Sequence, residues 1–337
     1  MRSRTAVALG RIRTIIFAQP IWAILVGIFI VASIASPDFL NLRNLSNILL
    51  QSSLNGVLAI GMTFLMINGY FDLSVGTVMG FCAALTIGLQ PLGLAPAILA
   101  ALAAGLIVGA INGFFVVKVK LNAFVVTLAS FIGMRGLIFI YTHERSIVGQ
   151  HEGFAFFGAG HIGGFPTLAL IMLCFMLIAE FVLRKTAHGR NTYAIGGNAE
   201  AARNAGIPVE RTDFLNFVIC GLCAAIGGVF VASRMNAATP TLGWPDTNLM
   251  IIATVALGGT KLRGGFGSLI HTLGGLLTLG IIRNTMDLLN VPSFFNRLSM
   301  GIILMLVVYA DAKFQHGKFL KDRGTGSDTG QMMPSAS

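Results

Sequence analysis

The residues in this chain that could do chemistry do not assemble into a reaction centre. Cys220-x-x-Cys223 has the spacing of a redox or zinc pair, but it lies in an apolar run with no second pair beside it. With Cys82 and Cys174 it reads as a set of small, membrane-buried side chains. His143-Glu144 and His151-Glu152 are metal-ligand types, yet their offset of eight suits neither a helical nor a strand site. Gly258-Gly259-Thr260-Lys261 is the nearest string to a phosphate loop, and it lacks the first glycine and the closing hydroxyl at the needed spacing. There is no Ser-His-Asp set, no intramembrane carboxylate pair, and no acidic run along one span that could relay protons. Catalytic residues, a bound metal and a cofactor of the chain's own are therefore not expected, and an ion-coupled secondary transporter is disfavoured.

What remains is a polar stretch, Arg184 to Thr212, reading RKTAHGRNTYAIGGNAEAARNAGIPVERT between two apolar runs. Glu200 to Ala205 can form a short helix, with Gly206 and Pro208 to stop it. A helix of this size on a basic loop suits a groove on a partner better than a lipid surface, because it has few large apolar side chains.

Composition fixes the class that must hold this loop. The 337 residues are 55% hydrophobic and 11% charged, with mean hydropathy +0.81; soluble domains carry about 25% charge. Ten apolar spans are expected, near 14–35, 45–68, 73–90, 94–117, 122–142, 165–183, 213–235, 247–259, 266–288 and 295–312. The eighth is too short to cross alone, so it is broken or extended by the polar residues before it. The net charge of +10 is scattered over short loops, which fits insertion topology and anionic lipid and not nucleic acid.

Charge also predicts orientation. With the N-terminus inside, the inner segments hold Arg2, Arg4, Arg11, Arg13, Lys118, Lys120, Arg184, Lys185, Arg190, Arg203, Arg211, Lys261, Arg263, Lys313, Lys318, Lys321 and Arg323. Only Arg43, Arg135, Arg145, Arg234, Arg283 and Arg297 are left for outer loops or spans. That asymmetry places both termini in the cytoplasm of a multi-pass protein. The first span imitates a signal peptide through Ala32, Ser33, Ala35 and Ser36, but its apolar run is long and reads as a retained anchor. The chain thus divides into a cytoplasmic segment 1–13, a membrane domain 14–312 containing the loop 184–212, and a polar, disordered tail 313–337.

Within the spans, Gly105, Gly109 and Gly113 form overlapping G-x-x-x-G steps, and Ala225, Gly228, Gly274 and Gly275 add small residues later; all point to close helix packing. Glu180 and Arg184, and again Arg283 and Asp287, are four apart and read as local ion pairs. Arg135 has no partner in sequence and could serve structure or line an aqueous path, as could Asn112. Asp72, in the string NGYFDLSVG, follows Gly69 by three and can cap the next helix by accepting its orphan amide hydrogens, with Ser74 and Gly76 continuing the turn.

Four blocks, in order, resemble the membrane permease of ribose-type ABC sugar importers. They are IGMTFLMINGYFDLSVGTVMG at 60–80, GAINGFFVVKVKLNAFVVTLASFIGMRGL at 109–137, GRNTYAIGGNAEAARNAGIPVERT at 189–212 and ATVALGGTKLRGGFGSLIHTLGG at 253–275. The first departs from the family's usual Gly-Gly-Ile-Asp-Leu-Ser-Val-Gly, because Asn68-Gly69-Tyr70-Phe71 precedes Asp72-Leu73-Ser74-Val75-Gly76. The resemblance spans about residues 15–315. It implies an all-α, type II (vitamin B12-importer-like) permease of about ten helices in a bacterial inner membrane, working as a dimer of identical or paralogous chains. It also implies a cytoplasmic ABC ATPase that carries ATP and Mg, and a periplasmic sugar-binding protein. Asn198, Glu200, Ala201, Ala202, Arg203 and Gly206 match the loop by which such permeases engage the ATPase. A permease for a polyol or a sugar-derived signal on the same fold is the alternative reading.

The charge asymmetry makes a direct prediction. Single cysteines at Asn198 and Gly153, in a chain with the native four replaced, label from opposite faces of intact cells. Labelling of both from one face would contradict the topology.

Overall fold

The computed structural model describes residues 20–244, 246–303, 305, 306 and 309; the segment 1–13 and the tail 313–337 lie outside the described residues. It is a helical bundle whose elements run α1 Pro20–Ala35, α2 Leu42–Ile67, α3 Val75–Gly88, α4 Leu94–Gly113, α5 Ala123–Thr142, α6 Glu152–Ala159, α7 Thr167–Lys185, α8 Ala187–Gly197, α9 Ala199–Asn204, α10 Val209–Met235, α11 Thr247–Leu257 and α12 Leu269–Leu288. Residues 293–303 are again helical. A π-helical turn, Phe114–Lys118, prolongs α4. Strand structure is minor: β1 Ile147–Val148 pairs with β4 Ala237–Ala238, and β2 His161–Ile162 pairs with β3 Phe165–Pro166, both antiparallel.

The second to ninth expected spans each find a helix near their predicted bounds, while the first and tenth are helical over 20–35 and 293–303 and otherwise reach outside the described residues. Five segments are long and apolar enough to cross a bilayer by themselves: α2, α4 with its π turn, α5, α7 and α10. The short eighth span is α11, eleven residues, or about 16 Å of rise. Residues 239–244 reach it as non-helical turns, mostly half-buried with Thr241 exposed, so the short helix is preceded by a break and is not extended by them.

Burial divides the helices by role. α2 is enclosed almost throughout, from Gly56 to Ile67, and with α10 it forms the axis of the main core around Leu58, Met62, Phe217, Cys220 and Ile251. α1, α4, α5 and α7 present large exposed apolar side chains such as Ile34, Ile107, Ile140 and Phe181, the surface that lipid requires. All four cysteines are free; Cys82, Cys220 and Cys223 are buried in packing and Cys174 is exposed.

The glycine steps of α4 lie against α10. A Cβ at Gly109 would sit 2.6 Å from the Phe217 carbonyl, and one at Gly105 would sit 2.5 Å from the Gly221 carbonyl. Gly221 faces back on the same contact, with the Gly109 Cα 2.9 Å from where its own Cβ would be. Small residues therefore let two backbones touch, where dispersion and polar backbone contacts replace the hydrophobic drive that lipid cannot supply.

The basic end of the bundle is also its connected end. There the C-termini of α2, α4 and α7 meet the N-termini of α10 and α12. Lys118 and Lys120 reach Glu210 at 2.8 and 3.6 Å. Glu180 pairs with Arg184 as its spacing predicted, and it also accepts from Ser268 Oγ at 3.1 Å and the Leu269 backbone amide at 2.8 Å. A buried carboxylate thus caps the first turn of α12, where the helix dipole favours it. Arg283 and Asp287 do not pair among the described residues: Asp287 instead accepts from Asn296 at 3.2 Å. Both side chains are exposed on one face, so hydration competes with an i,i+4 contact worth only about 0.3–0.5 kcal/mol.

Overpacking tests the glycine contact. Gly109→Leu drives a side chain onto a backbone carbonyl and costs at least about 1–3 kcal/mol, read as a lower unfolding midpoint of the detergent-purified chain. Gly133→Leu, where nothing lies within 4 Å, leaves the midpoint unchanged. Equal midpoints for the two variants would contradict the contact.

Candidate functional site

Two polar constructions occupy the basic end, and they touch. The first is the loop between α7 and α10, which holds α8 and α9. Thr186 caps α8, its hydroxyl accepting from Gly189 N at 3.3 Å. Asn198 caps α9, its Oδ1 accepting from Ala201 N at 2.9 Å. α9 spans Ala199–Asn204 and is pinned by a small cluster of Ile195, Ala202 and Val209. Glu200, Ala201 and Arg203 face outward, with Asn198 and Gly206 exposed beside them. Gly206 takes φ +80°, a left-handed turn that ends the helix where the sequence placed its stop.

The loop is anchored beneath. His188 Nε2 meets Asn216 Oδ1 at 2.9 Å, and Asn216 donates onward to Thr192 at 3.3 Å. Burial pushes the His188 imidazole below its ordinary pKa, while the Asn216 contact opposes that shift. Tyr193 donates to the Gly267 carbonyl at 2.7 Å. A Cβ at Gly196 would fall onto the Ile67 carbonyl, and the same carbonyl accepts from Gly265 N at 2.7 Å. The loop is therefore in backbone contact with the last residue of α2 and with the turn 258–268.

The second construction is the turn between α2 and α3. Gly69 takes φ +92° and breaks the chain direction. Asn68 donates to Asp213 Oδ1 at 2.8 Å, and Tyr70 to Asp213 Oδ2 at 3.2 Å. Burial beside the Asp213 carboxylate drives the Tyr70 phenol up to about 12. Asp72 Oδ1 accepts from Ser74 N and Ser74 Oγ, both at 2.6 Å, and Oδ2 accepts from Asn112 at 3.3 Å. Asn112 also donates to Ser74 Oγ at 3.1 Å and accepts from Ser130 on α5. Leu73 packs against the main core.

This corrects the cap assignment. Asp72 closes an Asx turn on Ser74 and binds α4; the N-cap of α3 is Ser74, whose side chain makes no cap bond. The orphan amide of Gly76 is taken by Asn248 Oδ1 of α11, at 2.8 Å. A neighbouring helix supplies the acceptor because Asp72 sits too early to reach the first turn.

Arg135 lies elsewhere. Its guanidinium sits 3.6 Å from the centroid of the Trp244 ring and 5.4 Å from Phe139, and Trp244 stacks on Phe131 at 4.7 Å. A cation over half-buried aromatics is a structural clasp between α5 and the turn before α11. No local pattern marks Trp244 as the partner, and none singles out Asn68, Ser130, Asp213 or Asn248. The available signal was general: polar side chains inside a membrane bundle must find one another.

Among the described residues, no three His, Cys, Asp or Glu side chains gather into a metal site. The loop carries a short exposed helix on a braced base, and the turn has the form of a polar joint.

Known proteins with the same sequence pattern are permeases. Residues 44–309 match the family described as branched-chain amino acid transport system / permease component. The chain belongs to this permease family. It is 39% identical over 288 residues to the ribose import permease protein of Bacillus subtilis (strain 168), covering 84% of this chain and 89% of that one. It is 38% identical over 300 residues to the ribose import permease protein of Escherichia coli (strain K12), covering 87% and 92%. The L-arabinose transport system permease protein of Escherichia coli (strain K12) is 36% identical over 297 residues, covering 86% and 89%. No solved structure matches the chain. The all-α membrane permease expected from the sequence is thus the family's, and the permease resemblance holds over most of the chain.

The joint at Asp72 can be tested by exchanging its groups. Asp72→Asn turns an acceptor facing the Asn112 amide into a donor and costs about 1–3 kcal/mol. Asn112→Asp in the same chain restores one donor–acceptor pair while keeping acceptors for Ser74 and Ser130. The double variant therefore recovers part of the loss in a thermal-unfolding cycle. Strictly additive losses would show that the two side chains are not coupled.

Proposed function

We propose that this chain is the membrane permease subunit of an ATP-driven ABC importer that carries a monosaccharide across a bacterial inner membrane. The observation that carries the reading is the identity of 36–39% over most of the chain to permeases named for ribose and L-arabinose. The chain itself does no bond chemistry. A cytoplasmic ATPase, holding ATP and Mg, docks on the exposed face of α9, and a periplasmic binding protein delivers the sugar at the opposite end. A second permease chain completes the translocation unit, and both termini lie in the cytoplasm.

The geometry supports this division of labour. Glu200 and Arg203 are exposed and unburdened by core contacts, while Ala202 on the inner face fixes the helix to the bundle. Movement of α9 reaches α2 through Gly196 and the Ile67 carbonyl without passing through a flexible side chain. ATP-driven change in the partner then biases the bundle between two states of access, which requires only that the partner bind those states unequally.

Charge reversal on α9 tests the coupling. Glu200→Arg changes an exposed residue and leaves insertion and folded yield normal, within about 0.5 kcal/mol. It weakens co-purification of the ATPase, or leaves the ATPase bound but unresponsive to sugar-loaded binding protein. Sugar uptake in proteoliposomes falls in either case. Normal uptake with normal ATPase stimulation would remove α9 from the coupling path.

A further inference from the structure

At the end of the bundle away from α9, the surface stops behaving like a lipid-facing one. Asn47, Gln51 and Asn55 are spaced four apart on α2, so they form one stripe. Opposite them on α12, Gly280, Arg283, Asn284 and Asp287 form a second stripe. Between the two lies a cavity of about 280 Å³, with Arg234 of α10 on its wall. Arg283, Asp287, Asn47 and Gln51 are exposed. Polar and charged groups on an outward face within a membrane bundle are tolerated where they meet water, not hydrocarbon.

The hydrogen-bonding capacity of this cavity is largely unspent. Asn47, Gln51, Arg234 and Arg283 have no side-chain hydrogen bond or ion pair among the described residues. Asn55 has only the Met250 thioether, at 3.9 Å. The Ser52 hydroxyl is buried, lines the cavity and has no partner. A Cβ at Gly280 would lie 2.7 Å from that hydroxyl, so glycine there keeps the space beside it open. A buried, unpaired hydroxyl is costly, and it marks a place where a ligand or water completes the bonding.

A sugar is the ligand class that fits such a set. Every hydroxyl of a monosaccharide both donates and accepts, as do Asn47, Gln51, Asn55 and Ser52. Ile48, Met250 and Leu276 border the same cavity and suit the C–H face of a ring. Because most of the polar side chains are amides, each contact is a modest neutral hydrogen bond, which lets a solute bind and leave. A second cavity of about 190 Å³ shares Met250, Arg283 and Asp287 with the first. Its far wall carries the Asp246–Arg297 ion pair, at 2.7 Å. Arg283 and Asp287 thus stand where the two spaces join.

We propose that the cavity between α2 and α12 is a monosaccharide subsite of the translocation path, with Gln51, Asn55, Ser52 and Arg283 as its hydrogen-bonding groups. This rests on the sugar-permease reading, and the experiment separates the two. The complete importer, with its ATPase and binding protein, is reconstituted in proteoliposomes with Cys174 replaced by serine and a single cysteine in place of Gln51 or Arg283. The probes are radiolabelled D-ribose and L-arabinose and a charged, membrane-impermeant methanethiosulfonate. Both cysteines react from the aqueous phase, and the transported sugar slows the reaction. A cysteine at Ile24, on the lipid-facing side of α1, stays unreacted. Either the cysteine or its label lowers uptake by roughly tenfold or more, the effect of losing one hydrogen-bonding partner in a site. Uptake of a probe sugar together with unprotected cysteines, or with full uptake after labelling, overturns the subsite and leaves the permease reading standing. Failure of the unmodified importer to take up either sugar overturns the pentose reading and the subsite with it.

Discussion

The turn between α2 and α3 is where this fold is decided. A helix that stops inside a membrane bundle exposes backbone and side-chain polar groups that lipid cannot satisfy. Here Gly69 stops α2, and neighbouring helices take up most of the polar groups at the break, while the buried Asn68 Oδ1 has no partner among the described residues. Asp213 of α10 receives Asn68 and Tyr70; Asp72 receives Ser74 and Asn112 of α4; Ser130 of α5 closes on Asn112; Asn248 of α11 receives Gly76. The placement of four other helices follows from satisfying one break. The glycine contact of α4 on α10 then brings Asn112 and Asp213 into the same neighbourhood.

The parts of the fold that were legible in the sequence are those governed by local pattern. Apolar runs located the helices because bilayer thickness sets their length. Gly206 and Pro208 located the end of α9, and G-x-x-x-G located a helix contact, although not its partner. Glu180 and Arg184 were legible as a pair because four residues is one helical turn. The same rule failed for Arg283 and Asp287, since spacing permits a contact that solvation and a competing neighbour, Asn296, can refuse. Asp72 reads in sequence as the cap of α3, which the structure corrects to an Asx turn on Ser74 and a link to α4; that link was hidden because its partner is forty positions away. Arg135 over Trp244 was hidden for the same reason. Long-range polar pairing is written in the fold, and a single sequence carries it only as unmatched groups awaiting partners.

Family membership and geometry inform different parts of the reading. Identity to ribose and arabinose permeases speaks to the class of cargo and says nothing of which side chains meet it. The structure has the opposite strength. It shows an exposed loop helix braced by a small cluster, and at the other end a polar hollow in a surface that should be greasy.

α2 joins those two ends. It runs twenty-six residues, about 39 Å, of which the stretch from the hollow beside Asn47 to the carbonyl of Ile67 takes about 30 Å. At the far end the connection is made by backbone atoms of Gly196, Gly265 and Ile67. That joint admits no side chain at Gly196, where a Cβ would fall on the Ile67 carbonyl. Asn47 and Gln51 along the hollow are exposed and free of such packing. One end of this rod can therefore change its side chains freely, while the other end admits almost no change.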